Sequence, residues 1–126
     1  MPTDASEKRI LVADDDPVIL RLIQVNLELE GYQVLTANNG EEAVETATAE
    51  HPDLVILDIM MPRMDGYQAC ETIKSEESTK DIPIVFLSAK AQQSDIDKGK
   101  AYGVDDYLTK PFDPAELIEV VERLTA

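Results

Sequence analysis

Acidic, basic and hydroxyl side chains stand at the ends of four short apolar segments of the chain. Asp14 and Asp15 follow the first segment, Asp58 ends the third, Ser88 follows the fourth and Lys110 follows the fifth. Carboxylates that come together repel one another and raise each other's pKa unless a positive charge neutralises them. Mg²⁺ prefers oxygen ligands and combines one or two carboxylates with a phosphate oxygen. These residue types are therefore suited to bind a metal ion and a phosphoryl group.

Asp58 has the predicted surroundings of a nucleophile toward phosphorus. A carboxylate beside a cation, a lysine and a hydroxyl can form an aspartyl phosphate. The cation and Lys110 would neutralise charge on the transferred oxygens, where phosphoryl transfer gains most of its catalysis. Ser88 adds a hydroxyl that can donate to a phosphoryl oxygen.

Each of these residues, taken alone, also has a simpler interpretation. Asp16, in its Asp-Pro setting, is an N-cap. Asp14 or Asp15 alone would be a solvated loop acid, Ser88 a polar loop residue and Lys110 a surface lysine. The functional interpretation depends on all of them meeting at one place, which requires a particular fold.

The four residues before Asp58, Leu54 to Leu57, predict the central strand of that fold. An unbroken apolar run of this length is typical of a strand covered by helices on both faces. A loop follows at Met61-Pro62. Asp58 is therefore predicted at the carboxyl end of a central strand, where open α/β sheets build their sites.

Five such strands alternate with five segments of helical periodicity. The predicted strands are Arg9–Ala13, Tyr32–Ala37, the run ending at Asp58, Ile82–Leu87 and Val104–Leu108. The predicted helices start at Pro17, run from Glu41 to Glu50, start at Asp65-Gly66, run from Ser94 to about Tyr102, and start at Asp113-Pro114. This alternation predicts an α/β fold, a doubly wound (βα)5 parallel sheet with helices on both faces and all carboxyl ends at one edge.

Caps and apolar spacing add detail to the helices. Gly31 and Gly103 are predicted C-caps, and Ser94 with Asp97 resembles a capping box. Four apolar residues of the first helix recur at helical spacing and predict its apolar face: Val18, Leu22, Val25 and Leu29.

Composition limits the class of protein. The 126 residues predict one domain, with a core of about 8–124 and a flexible N-terminal tail over 1–7. The formal net charge of −15, from 11 basic and 26 acidic residues, argues against nucleic acid or an anionic membrane as a direct partner. The single cysteine, Cys70, cannot form an internal disulfide and indicates a reducing cytoplasm.

Four motifs together resemble the receiver domain of bacterial two-component response regulators, of the chemotaxis-regulator kind. They are Ile10-Leu11-Val12-Ala13-Asp14-Asp15-Asp16-Pro17, Leu57-Asp58-Ile59-Met60-Met61-Pro62-Arg63-Met64-Asp65-Gly66, Leu87-Ser88-Ala89 and Tyr107-Leu108-Thr109-Lys110-Pro111-Phe112. The resemblance extends from about Lys8 to Leu124. It implies a flavodoxin-like three-layer sandwich with strand order 2-1-3-4-5.

The resemblance implies a role for each site residue. Asp58 accepts the phosphoryl group from the phosphohistidine of a sensor histidine kinase or a phosphotransfer protein, and Lys110 pairs with that group. Mg²⁺ (or Mn²⁺) is bound by the side chains of Asp15 and Asp58 and by the backbone carbonyl of Met60. Asp14 helps directly or through water.

The resemblance also implies a switch. Ser88 shifts to hydrogen-bond a phosphoryl oxygen and Tyr107 moves inward behind it, although Tyr107 alone would be a half-buried strand aromatic. The face formed by the fourth helix, fifth strand and fifth helix then changes its partners, which are an output protein or domain, or a second copy in a homodimer. The expected protein is a cytoplasmic phosphorelay component that catalyses only its own phosphorylation and autodephosphorylation. The Lys110-Pro111 bond is expected to be cis, as is frequent in the family.

Four other functions fit less well. A haloacid-dehalogenase-type phosphatase requires a second acid two residues after the nucleophile, where this chain has Met60. No glycine-rich phosphate loop follows the first strand, as nucleotide binding requires, and a flavodoxin-like carrier needs a hydroxyl-rich loop there. A pseudo-receiver that acts only as an interaction module is the main non-chemical alternative. Its usual sign is loss of the acids or of Lys110, and none is lost.

Overall fold

The computed structural model describes residues 8–90 and 92–126, so the predicted flexible tail over 1–7 lies outside the described residues. Strands and helices alternate along the chain. Their bounds are β1 Arg9–Ala13, α1 Pro17–Leu29, β2 Gln33–Ala37, α2 Gly40–Glu50, β3 Leu54–Asp58, α3 Gly66–Ser75, β4 Ile84–Ser88, α4 Gln93–Ala101, β5 Asp106–Thr109 and α5 Pro114–Thr125.

The five strands form a parallel sheet in the order β2-β1-β3-β4-β5. This confirms the predicted doubly wound α/β fold and the strand order that the resemblance implied. Because every strand runs in the same direction, all carboxyl ends lie at one edge. Two strands begin two residues later than predicted, β4 at Ile84 and β5 at Asp106.

Alternate residues of each central strand enter two separate hydrophobic cores. In β1, Ile10 and Val12 face the core under α1 and α5, whereas Leu11 and Ala13 face the core under α2 and α3. Strand β3 is buried along its whole length, as its unbroken apolar run predicts. The molecule is therefore a three-layer sandwich that supports the carboxyl end of β3 from both sides.

The predicted apolar face of α1 is wrong. The residues of α1 that are buried are Leu20, Ile23 and Leu27. Those predicted to face the core form an exposed row, here called the α1 stripe: Val18, Leu22, Val25 and Leu29, with Val18 72% and Leu29 80% exposed. Both rows have helical spacing, so periodicity alone cannot choose between them. The short connection from β1 and the cap at Asp16, whose side chain accepts from the amide of Val18, fix the rotation of the helix.

The predicted capping box of α4 is also wrong, because the helix begins before Ser94. Gln92 is the N-cap and makes no side-chain cap hydrogen bond. Asp97 instead accepts a hydrogen bond of 2.9 Å from the side-chain Nε2 of Gln93. The predicted glycines after the helices do adopt left-handed backbone, Gly31 with φ 97° and Gly103 with φ 84°. Within residues 8–90 and 92–126, no helix combines the length and apolarity that a bilayer crossing requires.

Candidate functional site

The strand register places Asp14 beside Asp58. Ala13 of β1 pairs with Leu57 of β3. Asp14 follows Ala13 and Asp58 follows Leu57, so the two acids lie at the same level at the ends of neighbouring strands. Asp15 follows, and ligand oxygens from Asp14, Asp15 and Asp58 all lie within 4.8 Å of one another. The carboxylate cluster predicted from the sequence is therefore assembled at the carboxyl edge of the sheet.

Asp14 is fully buried, and one of its oxygens lacks a hydrogen bond. Oδ1 accepts from the backbone amide of Asp16 at 2.9 Å. Within the part of the chain that the structure describes, Oδ2 accepts no hydrogen bond of good geometry, although the Nζ atom of Lys110 lies 3.0 Å away. The ammonium of Lys110 is therefore the described partner of this buried oxygen, and a bound cation would give it a second one.

Lys110 is held over the carboxylates by its place after β5. Its backbone amide donates to the carbonyl of Ser88 at 2.8 Å, and the bond to Pro111 is cis, as expected. Its Nζ atom lies 3.3 Å from Asp58 Oδ2 as well as 3.0 Å from Asp14 Oδ2. Partial burial would lower the pKa of Lys110, but its contacts with the two carboxylates outweigh burial and raise that pKa. Lys110 therefore carries a fixed positive charge.

Asp58 is only 4% exposed and faces two groups that stabilise its ionised form. Oδ1 accepts from the backbone amide of Met60 at 3.3 Å, and Oδ2 contacts Lys110. Burial and the neighbouring charge of Asp14 nevertheless dominate and raise the pKa of Asp58 to about 7. A carboxylate whose charge is disfavoured in this way gains from a nearby cation.

The residues fit a hard divalent cation. Asp14, Asp15 and Asp58 supply carboxylate oxygens. The backbone carbonyl of Met60, two residues after Asp58, is the further ligand that the resemblance implies. Asp15 is exposed, so the cluster is open to solvent on one side. Oxygen donors with an open side suit Mg²⁺, which keeps several waters and accepts a phosphate oxygen.

Ser88 and Tyr107 are joined to one another through Lys90. The Oγ atom of buried Ser88 accepts from the backbone amide of Lys90 at 3.1 Å, and the hydroxyl of Tyr107 donates to the carbonyl of Lys90 at 2.9 Å. No hydrogen bond from either side chain to the carboxylates is found in the described segments. The structure therefore brings the acids and Lys110 together, and connects the two predicted switch residues by a separate path.

The close packing of two glycines against the segment from Asp58 to Met64 was missed by sequence reasoning; Gly66 is the first residue of α3 and Gly40 the first residue of α2. A Cβ atom on Gly66 would lie 2.6 Å from the carbonyl oxygen of Asp58, and one on Gly40 would lie 2.0 Å from that of Met64. A glycine at the first residue of a helix, where its helix-forming propensity is poor, is the only signal the sequence offers.

The chain matches the family described as "Response regulator receiver domain" over residues 10–122. It is similar to the alkaline phosphatase synthesis transcriptional regulatory protein PhoP of Bacillus subtilis, with 46% identity over 110 residues. These residues are 87% of this chain and 45% of PhoP. The chain thus spans about half the length of the curated relatives it matches.

Solved structures are similar over nearly the whole chain. A putative response regulator from Chloroflexus aurantiacus has a TM-score of 0.89 at 35% identity, covering 94% of this chain and 97% of that one. The receiver domain of the sensor histidine kinase PA1611 from Pseudomonas aeruginosa has a TM-score of 0.87 at 35% identity, with the same coverage. That second structure has a magnesium ion coordinated in its active site cleft.

Proposed function

The chain belongs to the response regulator receiver domain family, and we propose that it is a phosphoacceptor that takes up a phosphoryl group on Asp58. The observation that carries this proposal is the position of Asp58. It is buried at the end of the central strand, 3.3 Å from the ammonium of Lys110 and within the cluster formed with Asp14 and Asp15. An acid in this setting has both a charge partner and a place for a cation.

The reaction is the transfer of a phosphoryl group from a histidine nitrogen to a carboxylate oxygen of Asp58. A carboxylate oxygen of Asp58 forms a bond to the phosphorus of a phosphohistidine, and the P–N bond breaks with its electron pair returning to the imidazole nitrogen. Lys110 neutralises charge on the transferred oxygens and orients them. Mg²⁺, held by Asp14, Asp15, Asp58 and the carbonyl of Met60, would supply further charge neutralisation of the phosphoryl oxygens.

The chain catalyses only its own phosphorylation and autodephosphorylation under this proposal and is not otherwise an enzyme. The chain acts in the cytoplasm, and its phosphodonor is a sensor histidine kinase or a phosphotransfer protein. We infer that this donor docks on the α1 stripe, which exposes four apolar side chains. Its first member, Val18, lies two residues after Asp16 of the acidic loop, and exposed apolar rows of this kind mark interaction surfaces.

The switch operates through the Ser88–Lys90–Tyr107 connection. A phosphoryl oxygen on Asp58 draws the hydroxyl of Ser88 toward it, which weakens the 3.1 Å bond from the amide of Lys90. The carbonyl of Lys90 then moves, and the hydroxyl of Tyr107 loses its acceptor. Tyr107 lines a cavity of about 450 Å³ between α4 and β5, so its movement alters the face on which an output partner or a second copy binds.

Incubation with Mg²⁺ and acetyl phosphate, followed by intact-mass measurement, tests this function. We expect one phosphoryl group per chain, no adduct when a chelator removes Mg²⁺, and no adduct on Asp58→Ala. Asp53→Ala is the matched control, because Asp53 lies before the opposite end of β3, and it should be phosphorylated like the unmodified chain. Absence of an adduct on the unmodified chain, or an adduct on Asp58→Ala, would contradict the proposal.

A further inference from the structure

The loop over residues 59–65, here called the metal loop, is tightly folded directly after Asp58. The side chains of Ile59 and Met61 are buried, whereas Met60 between them is 62% exposed. The amide of Met64 donates to the carbonyl of Pro62 at 2.8 Å around Arg63, whose φ is 68°. A turn with positive φ at a residue with a side chain is strained and persists only where its surroundings hold it.

Two glycines from neighbouring helices hold the metal loop by backbone contact. Gly66, the first residue of α3, donates its amide to the carbonyl of Ile59 at 2.9 Å. Gly40, the first residue of α2, is buried against the other end, where an added Cβ would lie 2.0 Å from the carbonyl oxygen of Met64 and 2.7 Å from its carbonyl carbon. The two nearest atoms belong to the backbone of Met64, and the third is its Cβ atom at 2.8 Å, so none of them can turn aside as the far end of a flexible side chain can.

Space, rather than backbone conformation, requires glycine at position 40. Among the described glycines, positive φ angles occur at Gly31 and Gly103, and not at Gly40 or Gly66. Alanine could therefore adopt the backbone conformation of Gly40 without difficulty. The charged contact between α2 and the metal loop, an exposed ion pair of 3.5 Å between Glu41 and Arg63, contributes little. The Gly40–Met64 approach thus restrains the metal loop more than this ion pair does, and it acts beside the apolar packing of Ile59 and Met61 in the same core as Ala43.

We propose that Gly40 is a positioning residue for the metal site, because the space left by its missing side chain sets the position of the metal loop and so of the Met60 carbonyl. This inference rests on the proposed Mg²⁺ site. Real Cβ atoms essentially never approach within 3.0 Å, so a side chain at position 40 displaces Met64 by about 1 Å. Mg²⁺ requires near-ideal octahedral geometry, and a misplacement of about 1 Å can cost on the order of 100-fold in activity.

Calorimetric titration of Mg²⁺ into Gly40→Ala tests the proposal. We expect Mg²⁺ affinity to fall at least about tenfold, and the Mg²⁺ concentration for half-maximal phosphorylation by acetyl phosphate to rise in parallel. Gly103→Ala is the control, because it strains a left-handed residue with nothing within 4 Å and lies away from the metal loop. It should lose stability and keep its Mg²⁺ affinity. Unchanged Mg²⁺ affinity in folded Gly40→Ala overturns the proposal.

A second measurement uses the unmodified chain, in case Gly40→Ala does not fold. In an amide NMR titration with Mg²⁺, the signal of Gly40 should move with the same midpoint as that of Met60, while the signals of Gly31 and Gly103 stay in place. A stationary Gly40 signal overturns the proposal. If the unmodified chain binds no Mg²⁺ at all, the proposed function fails instead, so the two failures are distinct.

Discussion

Asp58 differs from the other acids of this chain in the balance of its surroundings. Burial and the charge of Asp14 raise its pKa to about 7, while Lys110 and the amide of Met60 favour its ionised form. The fully buried Asp14 keeps an oxygen that accepts no hydrogen bond among the described residues. These opposing effects leave the site with excess negative charge close to neutral pH. A bound cation can neutralise that charge and so allow a phosphoryl group to bind beside it.

We expect the side chain of Met60 to set the lifetime of the phosphoryl group on Asp58. It is exposed beside Asp58 and has no polar group that could orient a water molecule for attack on phosphorus. Met60→Asn introduces such a group and should speed loss of the phosphoryl group roughly tenfold, a barrier change of about 1.4 kcal/mol. The measurement is the decay of the phosphorylated species by intact mass after acetyl phosphate is removed.

Met60→Leu is the control for this substitution, because leucine has similar size and no polar group. Its phosphoryl lifetime should match that of the unmodified chain. If Met60→Asn loses its phosphoryl group more slowly than the unmodified chain, or at the same rate, then a polar group at position 60 does not speed the attack of water on phosphorus.

At the scale of the element, α1 shows where sequence periodicity reaches its limit. The helix carries two apolar rows with spacings of three and four residues, and either row could face the sheet. The cap at Asp16 and the three-residue connection from β1 decide the outcome, and they bury Leu20, Ile23 and Leu27. The row predicted from sequence became the α1 stripe, which is a surface available to a partner.

Two leucines of α1 test this assignment of its faces. Leu27 is fully buried and Leu29, two residues later, is 80% exposed. Leu27→Ala should lower the free energy of unfolding by about 2–5 kcal/mol, because it leaves a cavity in the core. Leu29→Ala, the matched control, should change it by less than about 0.5 kcal/mol. Urea unfolding followed by circular dichroism measures both, and equal losses would contradict the assignment.

The ends of the other helices include some features that the sequence predicts and some that it does not. The left-handed glycines after α1 and α4 are predictable, because a C-cap requires a backbone conformation that glycine adopts freely. The start of α4 is not, because Ser94 and Asp97 have capping-box spacing but the N-cap is Gln92, two residues before Ser94. The approach of Gly40 to Met64 joins α2 to a loop more than twenty residues away, and no local pattern encodes it.

At the scale of the whole molecule, the site follows from the topology. Right-handed crossovers between parallel strands bring every carboxyl end to one edge, so Asp14, Asp58 and Lys110 could be predicted to meet before any distance was known. The register of β1 with β3 then places the two acids side by side. What topology leaves undetermined is the finer connection from Ser88 through Lys90 to Tyr107, because it consists of two hydrogen bonds to one loop residue.

Chemical trapping of the phosphorylated residue tests the central claim most directly. Borohydride reduces the acyl phosphate of an aspartyl phosphate to an alcohol, which converts that aspartate to homoserine and leaves free carboxylates unchanged. After reaction with Mg²⁺ and acetyl phosphate, reduction and peptide mass spectrometry should find homoserine at position 58 alone. Homoserine at position 14 or 15, or none at position 58, would contradict the account of Asp58 as the phosphoacceptor.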